Sequence, residues 1–98
     1  MIHEIRTYTV VPGGVREYLR IYNESGRAVQ TRLLGHLVAL LTPESGDVNQ
    51  LVFHWAFSSY DDRARRRAEL LADADFTAFR KSVRHLLVQQ ESRLLSPA

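Results

Sequence analysis

The chain has 98 residues, of which 45% are hydrophobic and 24% charged, the proportions of one globular domain. Thirteen basic against eleven acidic side chains leave a net charge of +2, too even for a polyelectrolyte binder. Cysteine is absent, which excludes a disulfide framework and a thiol nucleophile. The longest purely apolar run, Leu37 to Leu41, is far short of the ~20 residues a membrane-spanning helix needs.

Ile2 to Val11 alternates and is rich in β-branched and aromatic residues, which predicts a strand. Pro12-Gly13-Gly14 ends it. Val15, Tyr18, Leu19, Tyr22, Val29 and Leu33 then form one apolar stripe on a helix of about five turns. Gly26 lies on that stripe, and close packing of the helix on a sheet explains it. Gly35 stops the helix, and Leu37 to Thr42 reads as a second strand. Pro43 to Asp47 holds turn formers, and Gln50 to Ser58 is a third strand. Ser59 and Asp62 resemble a helix cap, and the helix runs through Leu71. Asp73-Ala74-Asp75 recaps a second helix with the stripe Phe76, Phe79, Val83, Leu86 and Leu87, and Glu91 to Ser96 supplies a last strand. The fold class is therefore α+β, a ferredoxin-like βαββαβ domain over residues 1–98 with helices on one face of a four-stranded antiparallel sheet. Glu4 and Arg6 break the first apolar stretch, so no signal peptide is legible and a cytoplasmic location is expected.

Helices cover only one side of such a sheet, yet the third strand is apolar on both. Leu51, Phe53, Trp55 and Phe57 occupy one face, and Val52 and Ala56 the other. The open face spans roughly 320–380 Å² in projection, near the limit for an exposed apolar patch. A homodimer through the open sheet face is the simplest way to cover it. With helices on the Ile5 side, Glu4, Arg6 and Tyr8 point into the space between the sheets, beside Phe53 and Trp55. An apolar cavity with a few converging polar groups is the composition of a small-molecule site. A Glu4–Arg6 ion pair on a solvated strand edge is the alternative for these residues.

Glu4-Ile5-Arg6-Thr7-Tyr8-Thr9 with Pro12-Gly13, Leu34-Gly35-His36-Leu37-Val38 and Gly46-Asp47-Val48-Asn49-Gln50 resemble the NIPSNAP family. Trp55-Ala56-Phe57, Asp62-Arg63-Ala64 and the segment from Leu86 to Leu95 extend that resemblance over nearly the whole chain. It implies the dimeric α/β-barrel superfamily and a homodimer closed into a barrel. Glu4, Arg6, Tyr8, Asn49, Gln50 and Trp55 match the family's pattern. Phe53-His54 departs from it, because the family usually places a histidine and then an aliphatic residue before the tryptophan. The shift moves the imidazole to the opposite sheet face, and His54 is expected beneath the helices as a hydrogen-bonded core residue.

The wider superfamily includes cofactor-independent monooxygenases acting on polyketide-like aromatics, haem-degrading enzymes, and small decarboxylases or isomerases. The resemblance therefore implies a cofactor-independent enzyme of monooxygenase or isomerase type acting on an aromatic or polyketide-like ligand. In that reading Arg6 binds a carboxylate or enolate, Tyr8 moves a proton and Asn49 orients an oxygen, while Glu4, Phe53 and Trp55 contact the ligand. Glu4 serves as a base only if burial raises its pKa, which Arg6 opposes. A non-catalytic ligand carrier or scaffold dimer is the alternative.

No metal is expected, since His3, His36, His54 and His85 form no close pair, and no cofactor fingerprint is legible. RNA-recognition domains share the element order, but Gln50 to Phe57 lacks the leading basic–glycine pair of their third strand, so no nucleic acid is expected. The run Arg63, Arg65, Arg66, Arg67 reads as paired charges on an exposed helix face.

Overall fold

The computed structural model describes residues 1–98. Strand β1 covers Ile2–Val10, followed by helix α1 at Gly14–Ile21. A π-helical turn at Tyr22–Gly26 joins α1 to helix α2 at Arg27–Leu34. Strands β2 (His36–Leu41) and β3 (Gln50–Phe57) precede helices α3 (Tyr60–Ala72) and α4 (Ala74–Val83). A short 3₁₀ turn, Arg84–Leu86, leads into strand β4 at Leu87–Leu95. The antiparallel strands lie in the order β2-β3-β1-β4, the ferredoxin-like arrangement.

Local chemistry accounts for the boundaries. Ser59 Oγ accepts from the Asp62 backbone N–H, and Asp73 Oδ1 accepts from that of Phe76, so each side chain caps a helix. The first helical stripe bulges into the π turn where Gly26 meets α4. A Cβ on Gly26 would stand 2.8 Å from the Phe79 ring, so the close approach is to a helix and not to the sheet. The final strand starts at Leu87, four residues before the sequence places it, because the helical pattern gives way after Val83.

One expectation about the faces is reversed. Register pairs Glu4 with Trp55, Arg6 with Phe53 and Tyr8 with Leu51, as the alternation predicts. That shared face, however, lies beneath the helices and not in the space open to a second sheet. Leu51, Phe53, Trp55 and Phe57 are buried in the core with Tyr22, Leu34, Leu70 and Val83. Their aromatic area decides which face the helices cover. Ile2 and Val10, at the two ends of β1, are buried with it.

The open face instead carries the odd positions of β1. Rows across it run Ala39, His54, Ile5, Arg93 and then Leu41, Val52, Thr7, Glu91. His54 accordingly sits on the open face and not beneath the helices. Its Nε2 lies 2.9 Å from His3 Nδ1, and desolvation, with His3 and His36 nearby, lowers its pKa. Ile5, Val52 and Ala56 at its centre and Ala39, Leu41 and Leu95 toward its edges are apolar, but His3, His54, Thr7, Glu91 and Arg93 interrupt them, so the face is less uniformly apolar than expected. No helix is long and apolar enough to cross a membrane.

Candidate ligand site

Glu4 stands on the central strand with no solvent exposure, and it is surrounded by donors. Arg63 reaches down from α3 and donates from Nε to Oε1 at 3.0 Å and from Nη2 to Oε2 at 2.8 Å. Arg6 Nη1 donates to Oε2 at 3.0 Å, and Ser92 Oγ on β4 donates at 2.6 Å. Burial alone would raise the carboxyl pKa. The hydrogen bonds from Arg63, Ser92 and Arg6 outweigh that penalty and hold it down at about 2. Glu4 is thus a permanent anion that positions two arginines, and the burial-raised base is not what the fold builds.

Arg6 is fixed on three sides. Besides Glu4, its Nε donates to Tyr8 Oη at 3.0 Å, and its guanidinium lies 5.6 Å from the Tyr8 ring centroid. It opens into a cavity of about 280 Å³ between the sheet and helices α3 and α4. Eight of the nine residues of β4 are exposed, so the helices leave this end of the sheet uncovered.

Arg6, Arg67, Arg80 and Arg84 line the cavity, and no carboxylate does. Arg67, Arg80 and Arg84 form no ion pair within the chain. Desolvation first, and then Arg6 and Arg63 nearby, lower the pKa of Arg67, while Glu4 opposes the shift. The neutral donors are equally specific. Burial, with Tyr8 and Tyr22 close by, raises the Tyr18 pKa, so its hydroxyl stays protonated. Tyr22 donates to Gln30 Oε1 at 2.6 Å, which leaves the Gln30 amide N–H₂ as a donor toward the cavity. Leu70, Phe76 and Val83 supply the apolar wall.

Of the six residues singled out in the sequence, Arg6 and Tyr8 reach the cavity, and Glu4 sits directly behind them. Phe53 and Trp55 are 1% and 0% exposed and belong to the closed core, so neither contacts the cavity. Trp55 Nε1 has no hydrogen-bond partner there. Asn49 is remote from Arg6. Its Oδ1 accepts from the Gly13 N–H at 3.1 Å and its backbone carbonyl from Val10, which ties the β1–α1 turn to the start of β3.

Sequence reading missed Arg63, Arg67, Arg80, Arg84 and Gln30. The arginine run is only half solvated: Arg65 and Arg66 pair with Asp62, while Arg63 and Arg67 turn inward. The signal was present, because Arg63, Arg67 and buried Leu70 stand at i, i+4 and i+7, one face of a helix.

Residues 3–98 match the NIPSNAP family. The chain belongs to the NIPSNAP family. Among solved structures, the protein Atu4242 of Agrobacterium tumefaciens is 41% identical, with a TM-score of 0.96 over 100% of this chain and 94% of that one. It is described as a NIPSNAP family protein with unknown function. An uncharacterised NIPSNAP-like domain protein of Burkholderia xenovorans is 35% identical at TM-score 0.95, covering 99% of this chain and 84% of its own. A putative antibiotic biosynthesis monooxygenase of Nitrosomonas europaea shares the fold at TM-score 0.72 and 13% identity, over 99% of this NIPSNAP chain and 98% of its own. No curated protein of known function matches the NIPSNAP chain in sequence.

Proposed function

We propose that this NIPSNAP protein binds a small organic anion in the cavity between β1, β4 and helices α3 and α4. One observation carries the reading: four guanidinium groups line a single cavity whose wall contains no carboxylate. Glu4 is the one carboxylate near Arg6, Arg63 and Arg67, which leaves an excess of partly buried positive charge that an anionic ligand balances. Arginine's planar fork suits carboxylate and phosphate oxygens, and the Tyr18 hydroxyl and Gln30 amide add neutral donors. The apolar wall at Leu70, Phe76 and Val83 fits the body of an aromatic or aliphatic acid.

The wall holds no histidine or carboxylate, and Glu4 is too firmly ionised to take up a proton near neutrality. Chemistry in this pocket rests on stabilisation of an enolate or oxyanion by Arg6 and Arg67, with the Tyr8 and Tyr18 hydroxyls as its proton-bearing neutral groups. This supports a ligand-binding protein over an acid–base isomerase, with a cofactor-independent reaction limited to substrates whose own anion reacts. The proposal extends to a homodimer through the open sheet face, where Ile5, Val52 and Leu41 need cover.

The test is binding measured by calorimetry with benzoate and salicylate against their neutral amides. The acids are expected to bind, the amides not, and Arg67→Gln to abolish binding while leaving stability equal or higher, because repulsion with Arg6 is relieved. Equal affinity for acids and amides overturns the proposal.

A further inference from the structure

The cavity's four arginines do not form one cluster. Arg6 and Arg67 lie inside, Arg6 with its side chain only 13% exposed and Arg67 half-buried against Arg6 and Arg63. Arg80, near the end of α4, and Arg84, in the 3₁₀ turn, are exposed and stand four residues apart at the mouth. Glu4 is hydrogen-bonded to Arg6 and Arg63 and its charge also acts on Arg67, so three guanidinium groups share one carboxylate, and the mouth pair has no ion-pair partner. A monoanion held at the inner pair leaves the two outer charges unanswered. The leucine, phenylalanine and valine side chains of the wall give the ligand's body an apolar surface between the two positions.

We infer that the ligand is a dianion, with one acidic group at Arg6 and Arg67 and a second at Arg80 and Arg84. The inference rests on the anion reading above and narrows it to a compact dicarboxylate with an apolar body. A cavity of about 280 Å³ lies at the small end of ligand sites, which restricts the ligand to one ring or a short chain.

The experiment titrates the intact protein with phthalate, its monomethyl ester and its neutral diamide at fixed ionic strength. Phthalate is expected to bind about tenfold more tightly than the monoester, the size of effect two partly screened charge pairs provide. In the Arg80→Gln/Arg84→Gln double variant that ratio falls to about one. Raising the salt weakens the dianion more steeply than the monoanion. Equal binding of diacid and monoester overturns the dianion inference and leaves the anion reading intact. A ratio that survives in the double variant overturns the placement of the second group. Equal binding of the diamide overturns the anion reading itself, and with it this inference.

Discussion

Replacing Glu4 with glutamine removes one negative charge and keeps nearly the same volume. The change leaves Arg6 and Arg63, with side chains 13% and 20% exposed, facing an amide. Removing one partner from a buried ion pair costs about 3–5 kcal/mol. Proton linkage gives an independent figure. The carboxyl titrates near 4.5 when unfolded and near 2 when folded, and that difference corresponds to about 3 kcal/mol. The sign follows from proton binding: between those values the unfolded chain holds more protons. The contribution is therefore complete above pH 4.5 and is lost as pH falls toward 2. Urea melts at fixed protein concentration, run from pH 7 down to pH 2, measure both quantities. Glu4→Gln is expected to lose about 3–5 kcal/mol at pH 7 and to show a shallower decline below pH 4.5, with the Glu17 and Asp62 ion pairs left to titrate. If the variant is too unstable to melt, Ser92→Ala removes one donor and is expected to move the acid transition to higher pH. A Glu4→Gln protein within about 1 kcal/mol of wild type, with the same acid profile, refutes the reasoning.

Two further predictions concern packing. Gly26→Ala places a methyl 2.8 Å from the buried Phe79 ring, and overpacking of about 1–3 kcal/mol exceeds the ~1 kcal/mol gain in helix propensity. A lower urea midpoint is expected, and a higher one shows that α4 yields at this contact. Val52→Glu puts a charge at the apolar centre of the open sheet face, and sedimentation is expected to show a wild-type dimer and a variant monomer. A wild-type monomer removes the dimer proposal.

The order and type of the elements were legible because each carries its own period and punctuation. Ser59 and Asp73 cap where their side chains predict. The alternation also grouped Glu4, Arg6 and Tyr8 with Phe53 and Trp55, and register keeps them together. What alternation cannot supply is which face the helices take. Ile5 is one aliphatic side chain, and it competes with the combined area of Leu51, Phe53, Trp55 and Phe57 once β1 and β3 pair. The inverted face carried His54 outward with it. The cavity was less legible, because its arginines come from helices where a charged residue is ordinarily solvated. Arg67 faces inward through tertiary packing that leaves β4 uncovered, and no local pattern encodes that gap.

The uncovered β4 also has a consequence for how the cavity responds to its ligand. Tyr8 and Gln90 face each other across paired strands from distant parts of the sequence, and both line the cavity. A molecule seated between them contacts a surface that exists only once β4 has docked beside β1. Binding of the proposed anion would therefore be coupled to complete assembly of the sheet, and partly folded chains are expected to hold none. Stabilisation by mass action then applies to the opening of the whole domain, not to local fraying. Amide exchange along β1 and β4 would slow together as the ligand is added, which makes occupancy of the cavity a report on the integrity of the fold.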